Sequence, residues 1–135
     1  MWIGILALAA ALSLAQAQHP AGGAHQHPEA AKLKNPNPAD AASIEAGKQV
    51  YEKNCASCHG KTGAGDGAMG AELNPKPSNL TDAEWKHGSS DGEIFTVIKD
   101  GSKGTAMKSF NSKLTTKQMW DVVNYVRSLS PAKSH

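Results

Sequence analysis

The residues best placed to do chemistry in this chain are Cys55-Ala56-Ser57-Cys58-His59. Two thiols at this spacing can each add across one vinyl group of a haem, and an imidazole directly after the second can reach the iron. The spacing is that of c-type haem attachment, with Cys55 and Cys58 forming thioethers and His59 filling one axial position. Three other uses of these residues compete with it. A thioredoxin-like dithiol needs a βαβ context, whereas here an amphipathic helix precedes the motif and a glycine loop comes after it. A zinc site needs a fourth ligand, and the chain lacks the second Cys/His pair that structural zinc sites usually supply. A plain disulfide leaves the adjacent histidine without a role.

The second axial position has several candidates. A thioether there favours the ferrous state and raises the potential, which suits an electron carrier. Met69 sits in the loop Gly63-Ala64-Gly65-Asp66-Gly67-Ala68-Met69, and Met107 in Gly104-Thr105-Ala106-Met107-Lys108-Ser109-Phe110. Met119 shares a helical face with Val122, Val123 and Val126 and reads as core. His87 would give bis-histidine ligation.

The elements that must position these groups read as helices. Ile44, Gly47 and Tyr51 recur at helical spacing after a Ser43 cap, in a helix that leads into Cys55. Gly47 has no side chain, so a second helix can approach closely there. Ser90 to Glu93 is a capping box before Ile94, Val97 and Ile98, with Gly101 as the stop. Thr115 to Gln118 repeats the box before Met119, Val122, Val123 and Val126, and Pro131 comes just after the end at Leu129. Thr81 to Glu84 offers a weaker turn ended by Gly88, with Trp85 as its large apolar member. Residues 60 to 79 favour loop, and no stretch alternates as a strand would.

Length and composition set the remaining limits. The chain has 135 residues, 39% of them hydrophobic and 5% aromatic, which suits one small domain whose core needs help from a cofactor. Its 14 Lys and Arg against 12 Asp and Glu give a net charge of +2, too little for a nucleic-acid binder. Residues 1–17 read as an export signal: an apolar run from Trp2 to Leu14, shorter than a comfortable membrane span, ends in Ala15-Gln16-Ala17. If uncleaved, the same segment is an anchor. Residues 18–40, with four prolines and His19, His25 and His27, read as a flexible linker whose histidines are candidates for weak metal binding. The folded domain is placed at residues 41–132.

From about residue 43 to 130 the chain resembles a class I monohaem cytochrome c. Ile44 to Tyr51 resembles that family's first helix, Cys55 to His59 its attachment site, Gly101 to Phe110 its distal loop, and Trp120 to Leu129 its last helix. The resemblance implies an all-α fold of three to four helices around one covalently bound haem c, with Gly47 and Tyr51 meeting Tyr125 where the first and last helices cross. It selects Met107 as the axial partner of His59, although Lys108 stands where the family often has proline. It also implies that a carbonyl near Pro75 or Pro77 accepts from the axial histidine. Leu80, Trp85, Ile94, Ile98 and Phe110 are then candidates to pack on the ring.

The function implied by this resemblance is outer-sphere transfer of single electrons in a respiratory chain, by an exported periplasmic protein that is not itself an enzyme, since both axial positions are filled. Between residues 99 and 117, Lys99, Lys103, Lys108, Lys113 and Lys117 outnumber the single acid Asp100, a surface suited to an acidic redox partner. Two alternatives remain: a tethered haem subunit of a membrane oxidoreductase, and an open-site haem peroxidase or gas-binding protein.

Overall fold

The computed structural model describes residues 28–82, 85, 88 and 90–130. Helix α1, Ala41–Asn54, is started by Asp40, whose Oδ1 accepts from the Ser43 amide at 2.8 Å. Ser43, expected as the cap, instead lies one turn inside the helix, because Asp40 caps as well as serine does and the Ser43 hydroxyl is needed elsewhere. Ser43, Gly47 and Tyr51 form the buried stripe of α1, at the four-residue spacing of one helix face. Helix α2, Ala56–His59, is a single turn directly after it. Helices α3, Asp91–Asp100, and α4, Thr116–Leu129, both begin with the expected capping boxes, Ser90 with Glu93 and Thr115 with Gln118.

The core is assembled on α4. Every residue from Met119 to Val126 is buried, so over two turns this helix presents no face to solvent. Against one side lies α1. A Cβ on Gly47 would fall on the Asp121 carbonyl oxygen and 3.0 Å from the Tyr125 Cβ, so the two backbones meet where only glycine fits. The Tyr51 and Tyr125 rings meet beside that crossing, centroids 5.1 Å apart and tilted by 58°. On another side Phe95 of α3 stacks on Trp120 at 3.9 Å, and Arg127 Nε pairs with Asp91 at 2.9 Å. In α3 the buried apolar residues are Ile94, Phe95 and Ile98, with Val97 only half-buried.

A third side of α4 is covered by a segment expected to be flexible linker. Residues 28–40 lie against the helices, with a 3-10 turn at Ala30–Lys32 whose buried Ala30 sits on Gly92 of α3. Asn35 Nδ2 donates to Asn124 Oδ1 at 2.8 Å, and Asn37 Nδ2 donates to Asp121 Oδ1 at 2.8 Å. Asp121 Oδ1 also accepts from Ser43 Oγ at 2.6 Å, and its Oδ2 from Lys117 Nζ at 2.7 Å. The linker reading rested on prolines and the lack of large apolar residues; the segment is held instead by polar groups that find partners on α4.

Burial alone would push the Asp121 carboxyl up, but the hydrogen bonds from Lys117, Ser43 and Asn37 outweigh it and hold it below the usual range. A lowered carboxyl contributes stability that is present above its unfolded value, near pH 4, and is lost as pH falls through the folded value. Urea titrations from pH 7 down to pH 2 are therefore expected to show an acid loss of stability that is shallower in Asp121→Asn. At pH 7 that variant is expected to be about 1–3 kcal/mol less stable. An unchanged acid slope would remove Asp121 from this role.

Residues 60–80 are loop except for a 3-10 turn at Ala68–Gly70, and no strand occurs among the described residues. The weaker turn expected at Thr81 to Glu84 falls partly outside the described residues. The part described is tied locally, with the Trp85 Nε1 donating to the Asp82 carbonyl at 2.9 Å. Among the described residues no helix is long and apolar enough to cross a membrane; residues 1–17 and the histidines of the linker lie outside them.

Candidate functional site

Cys55 closes α1, its amide donating to the Tyr51 carbonyl at 2.8 Å, and its own carbonyl accepts from the amides of Cys58 and His59 at 3.2 and 2.9 Å. The two cysteines and the histidine therefore share one turn, seated on the end of the helix that crosses α4. Glycines in the next loop wrap this turn closely. The Gly65 amide donates to the His59 carbonyl at 2.7 Å and the Gly67 amide to the Cys58 carbonyl at 3.1 Å. A Cβ on Gly67 would lie 2.6 Å from that Cys58 carbonyl carbon, so a side chain there would push the loop away.

His59 Nδ1 donates to the Ser78 carbonyl at 3.0 Å, the residue after Pro77 and one position beyond the nearer of the two expected prolines. A carbonyl can only accept, so the proton sits on Nδ1 and the Nε2 lone pair is left for a metal. Burial pushes the imidazole pKa down, outweighing the opposing effect of the Ser78 carbonyl, and so favours this neutral form. The Cys55 thiol is pushed up to about 12, by burial first and by neighbouring Cys58 second. Redox-active dithiols need a thiolate stabilised well below the ordinary value, and zinc ligation needs thiolates too. A position that penalises negative sulfur suits an uncharged thioether better. The two cysteines are not bonded to each other.

Met107 is half-buried and packs against the core from the loop between α3 and α4. With Lys108 in place of proline, the loop is braced by polar contacts on both sides of the methionine. The Met107 amide donates to Thr105 Oγ1 at 3.1 Å, the Ser102 amide donates to the Met107 carbonyl at 2.9 Å, and Ser109 Oγ donates to the Lys99 carbonyl at 2.5 Å. Met69 is 67% exposed, and Met119 is spent on the core at 1%. His87 lies outside the described residues.

The residues present fit a haem c. None of the four residues of α2 is buried, although the turn packs against α1 and the 3-10 turn at Ala68–Gly70. Leu80, Trp85, Met107, Phe110 and Leu114 likewise remain only half-covered while packing on the core, beside buried Ile94 and Ile98. Apolar side chains left partly bare on the same core as Cys55, with Cys58 and a neutral imidazole in the turn that begins there, suit a large apolar macrocycle joined by thioethers. Cys55 and Cys58 would hold it covalently, with His59 and Met107 as the axial donors.

The first carbon–sulfur bond should survive loss of the second. In Cys58→Ala, haem staining of the denatured protein is expected to show attachment through one thioether, seen in the pyridine spectrum as one vinyl group left unsaturated. Two intact thioethers in that variant would refute the assignment.

Several contributors went unread in the sequence. The Asp40 cap, Phe95 in the core, the Ser78 acceptor and the Tyr51 hydroxyl, which donates to the Gly60 carbonyl at 2.7 Å, all depend on side-chain direction or loop path. Only Asp40 carried a readable signal, as a good N-cap residue just before the apolar spacing begins.

The family model described as Cytochrome c matches residues 44–130. Among curated proteins, the chain is 38% identical over 99 residues to the cbb3-type cytochrome c oxidase subunit CcoP of Rhodobacter capsulatus, covering 68% of this chain and 31% of that one. It is 32% identical over 99 residues to the CcoP subunit of Azospirillum brasilense, covering 73% and 32%. The chain thus spans about a third of the length of these relatives. Among solved structures it is similar to a chain of the Kuenenia stuttgartiensis reducing HAO-like protein complex, with TM-score 0.67 and 32% identity over 74% of this chain and 48% of that one. The family match runs unbroken from the first turn of α1 past the end of α4, and with a helical fold built around Cys55-Ala56-Ser57-Cys58-His59 it establishes that this chain belongs to the cytochrome c family.

Proposed function

We propose that this protein carries single electrons in a respiratory chain through one covalent haem c, attached at Cys55 and Cys58 and ligated by His59 and Met107. The observation that carries the reading is the single turn that holds both thiols and a histidine whose Nδ1 is already committed to the Ser78 carbonyl. The number of haems rests on the one Cys-x-x-Cys-His motif in the chain. Haem c, when bound, supplies a one-electron iron couple in a covalently fixed ring.

The chain's own residues account for the rest. Ser78 fixes the histidine tautomer and orientation. The Thr105 and Ser102 contacts hold the loop that carries Met107, so neither protein ligand needs to move when the charge on the site changes. Leu80, Trp85, Phe110 and the Ile94–Ile98 face, all on the apolar core, would keep water from the ring. Exposed Lys103, Lys108 and Lys113 support docking to an acidic redox partner; Lys117 contributes less, because buried Asp121 already pairs with it.

The working place is the periplasm, as a mobile carrier or as a tethered haem subunit of an oxidoreductase complex. The second form is supported by the relatives, which are oxidase subunits, and by a domain that makes up only about a third of their length. An absorption spectrum of the exported protein, oxidised and reduced, tests the proposal. The c-type bands together with the weak far-red methionine–ferric band are expected. Haem bands without the far-red band would remove Met107, and no haem from a maturation-competent host would overturn the whole reading. N-terminal sequencing of the soluble and membrane fractions separates the two forms, a soluble product beginning at Gln18 excluding the anchor.

A further inference from the structure

Tyr51 does two jobs in the fold, and its ring explains only one of them. The side chain is fully buried, and the ring packs on Tyr125 beside the α1–α4 crossing. A phenylalanine would pack the same way. The hydroxyl adds a polar atom to the core, which costs free energy unless a partner is provided. That partner is the Gly60 carbonyl, at 2.7 Å.

Gly60 is where α2 ends, the residue directly after His59, and its φ of 83° turns the chain into the glycine loop. Its carbonyl receives one further bond, from the Gly63 amide at a longer 3.2 Å, while the preceding His59 carbonyl is held by the Gly65 amide. The imidazole itself is held by Ser78. We infer that Tyr51 is a positioning residue for the axial histidine: its hydroxyl anchors the peptide that closes the His59 turn to the α1–α4 crossing, and thereby sets the reduction potential without touching the iron. The inference rests on the haem ligation proposed above. Freeing that carbonyl loosens the turn on its C-terminal side and gives water a polar group to reach. Water stabilises the more positively charged oxidised site, so the potential falls.

The test compares haem-loaded wild type with Tyr51→Phe and Tyr125→Phe, two variants that each remove one hydroxyl from the same ring pair. In Tyr51→Phe both thioethers are expected to remain, and the ratio of oxidised to reduced protein at fixed potential should rise about threefold. At 59 mV per tenfold change for one electron, that is about 28 mV in the midpoint. Amide hydrogen exchange at Gly63 and Gly65 should quicken about tenfold. Tyr125→Phe should move neither quantity. Unchanged potential and exchange in Tyr51→Phe would overturn the inference while leaving the haem assignment standing, and equal changes in both variants would overturn it by reducing the effect to packing. If Tyr51→Phe does not accumulate, the wild-type protein decides: a slowly exchanging Tyr51 hydroxyl proton with coupling to the Gly60 carbonyl supports the contact, and its absence excludes it. Wild type recovered without haem overturns both this inference and the function on which it rests.

Discussion

Met107→Ala is expected to lower the midpoint potential by on the order of 0.2 V and to open the iron to external ligands. The direction comes from the chemistry of sulfur. A thioether is a soft donor without charge and favours the reduced metal; removing it leaves water or no ligand in its place, and the oxidised state gains. The same substitution should abolish the far-red band and allow rapid binding of carbon monoxide and cyanide at neutral pH. Met69→Ala should change none of these, since that side chain is 67% exposed on a surface turn. A redox titration with a carbon monoxide binding trace on each variant decides the matter. If Met69→Ala loses the band and Met107→Ala keeps it, the ligand has been assigned to the wrong loop.

Gly47→Ala should destabilise the protein by about 3 kcal/mol, against the sign that helix propensity predicts. In an isolated helix alanine is better than glycine by about 1 kcal/mol, because glycine loses more backbone freedom on folding. In α1 the added Cβ would fall on the Asp121 carbonyl oxygen and 2.5 Å from the carbonyl carbon. Backbone cannot swing aside as a flexible side-chain tip does, so α1 and α4 must separate. Separation also loosens the Tyr51–Tyr125 contact and strains the bond from Ser43 to Asp121. Urea denaturation of the haem-loaded protein measures the loss. A gain in stability would show that the crossing is slacker than the distances indicate.

Much of this architecture could be read directly because it is local. Capping boxes at Ser90 and Thr115 declare helix starts within four residues of sequence, and both formed as expected. The haem motif is equally compact, and the Gly47–Tyr51–Tyr125 meeting came from the family resemblance. Interactions between distant segments escaped. Asp121 and Asn124 are polar residues on a helix whose apolar face was plain, and nothing nearby in sequence announces that Asn35, Asn37 and Ser43 will bury them. The same distance between partners hid the role of residues 28–40, where prolines and small residues suggested an unattached chain. The acceptor for His59 was expected near Pro75 or Pro77 and is Ser78, directly after Pro77; only the choice among neighbouring carbonyls escaped, since the path of a loop decides which of them points inward.

The segment laid across α3 and α4 changes the reach of the domain in the membrane-tethered form. Left free, residues 28–40 would add roughly 45 Å to the reach of the domain when fully drawn out. With residues 28–40 fastened to the helices, that length is withdrawn from any tether. The shorter leash confines the domain to a smaller volume above the bilayer and raises its effective concentration at any acceptor inside that volume. Acceptors farther away would be out of range, so the hydrogen bonds of two asparagines would help determine which partners can receive the electron.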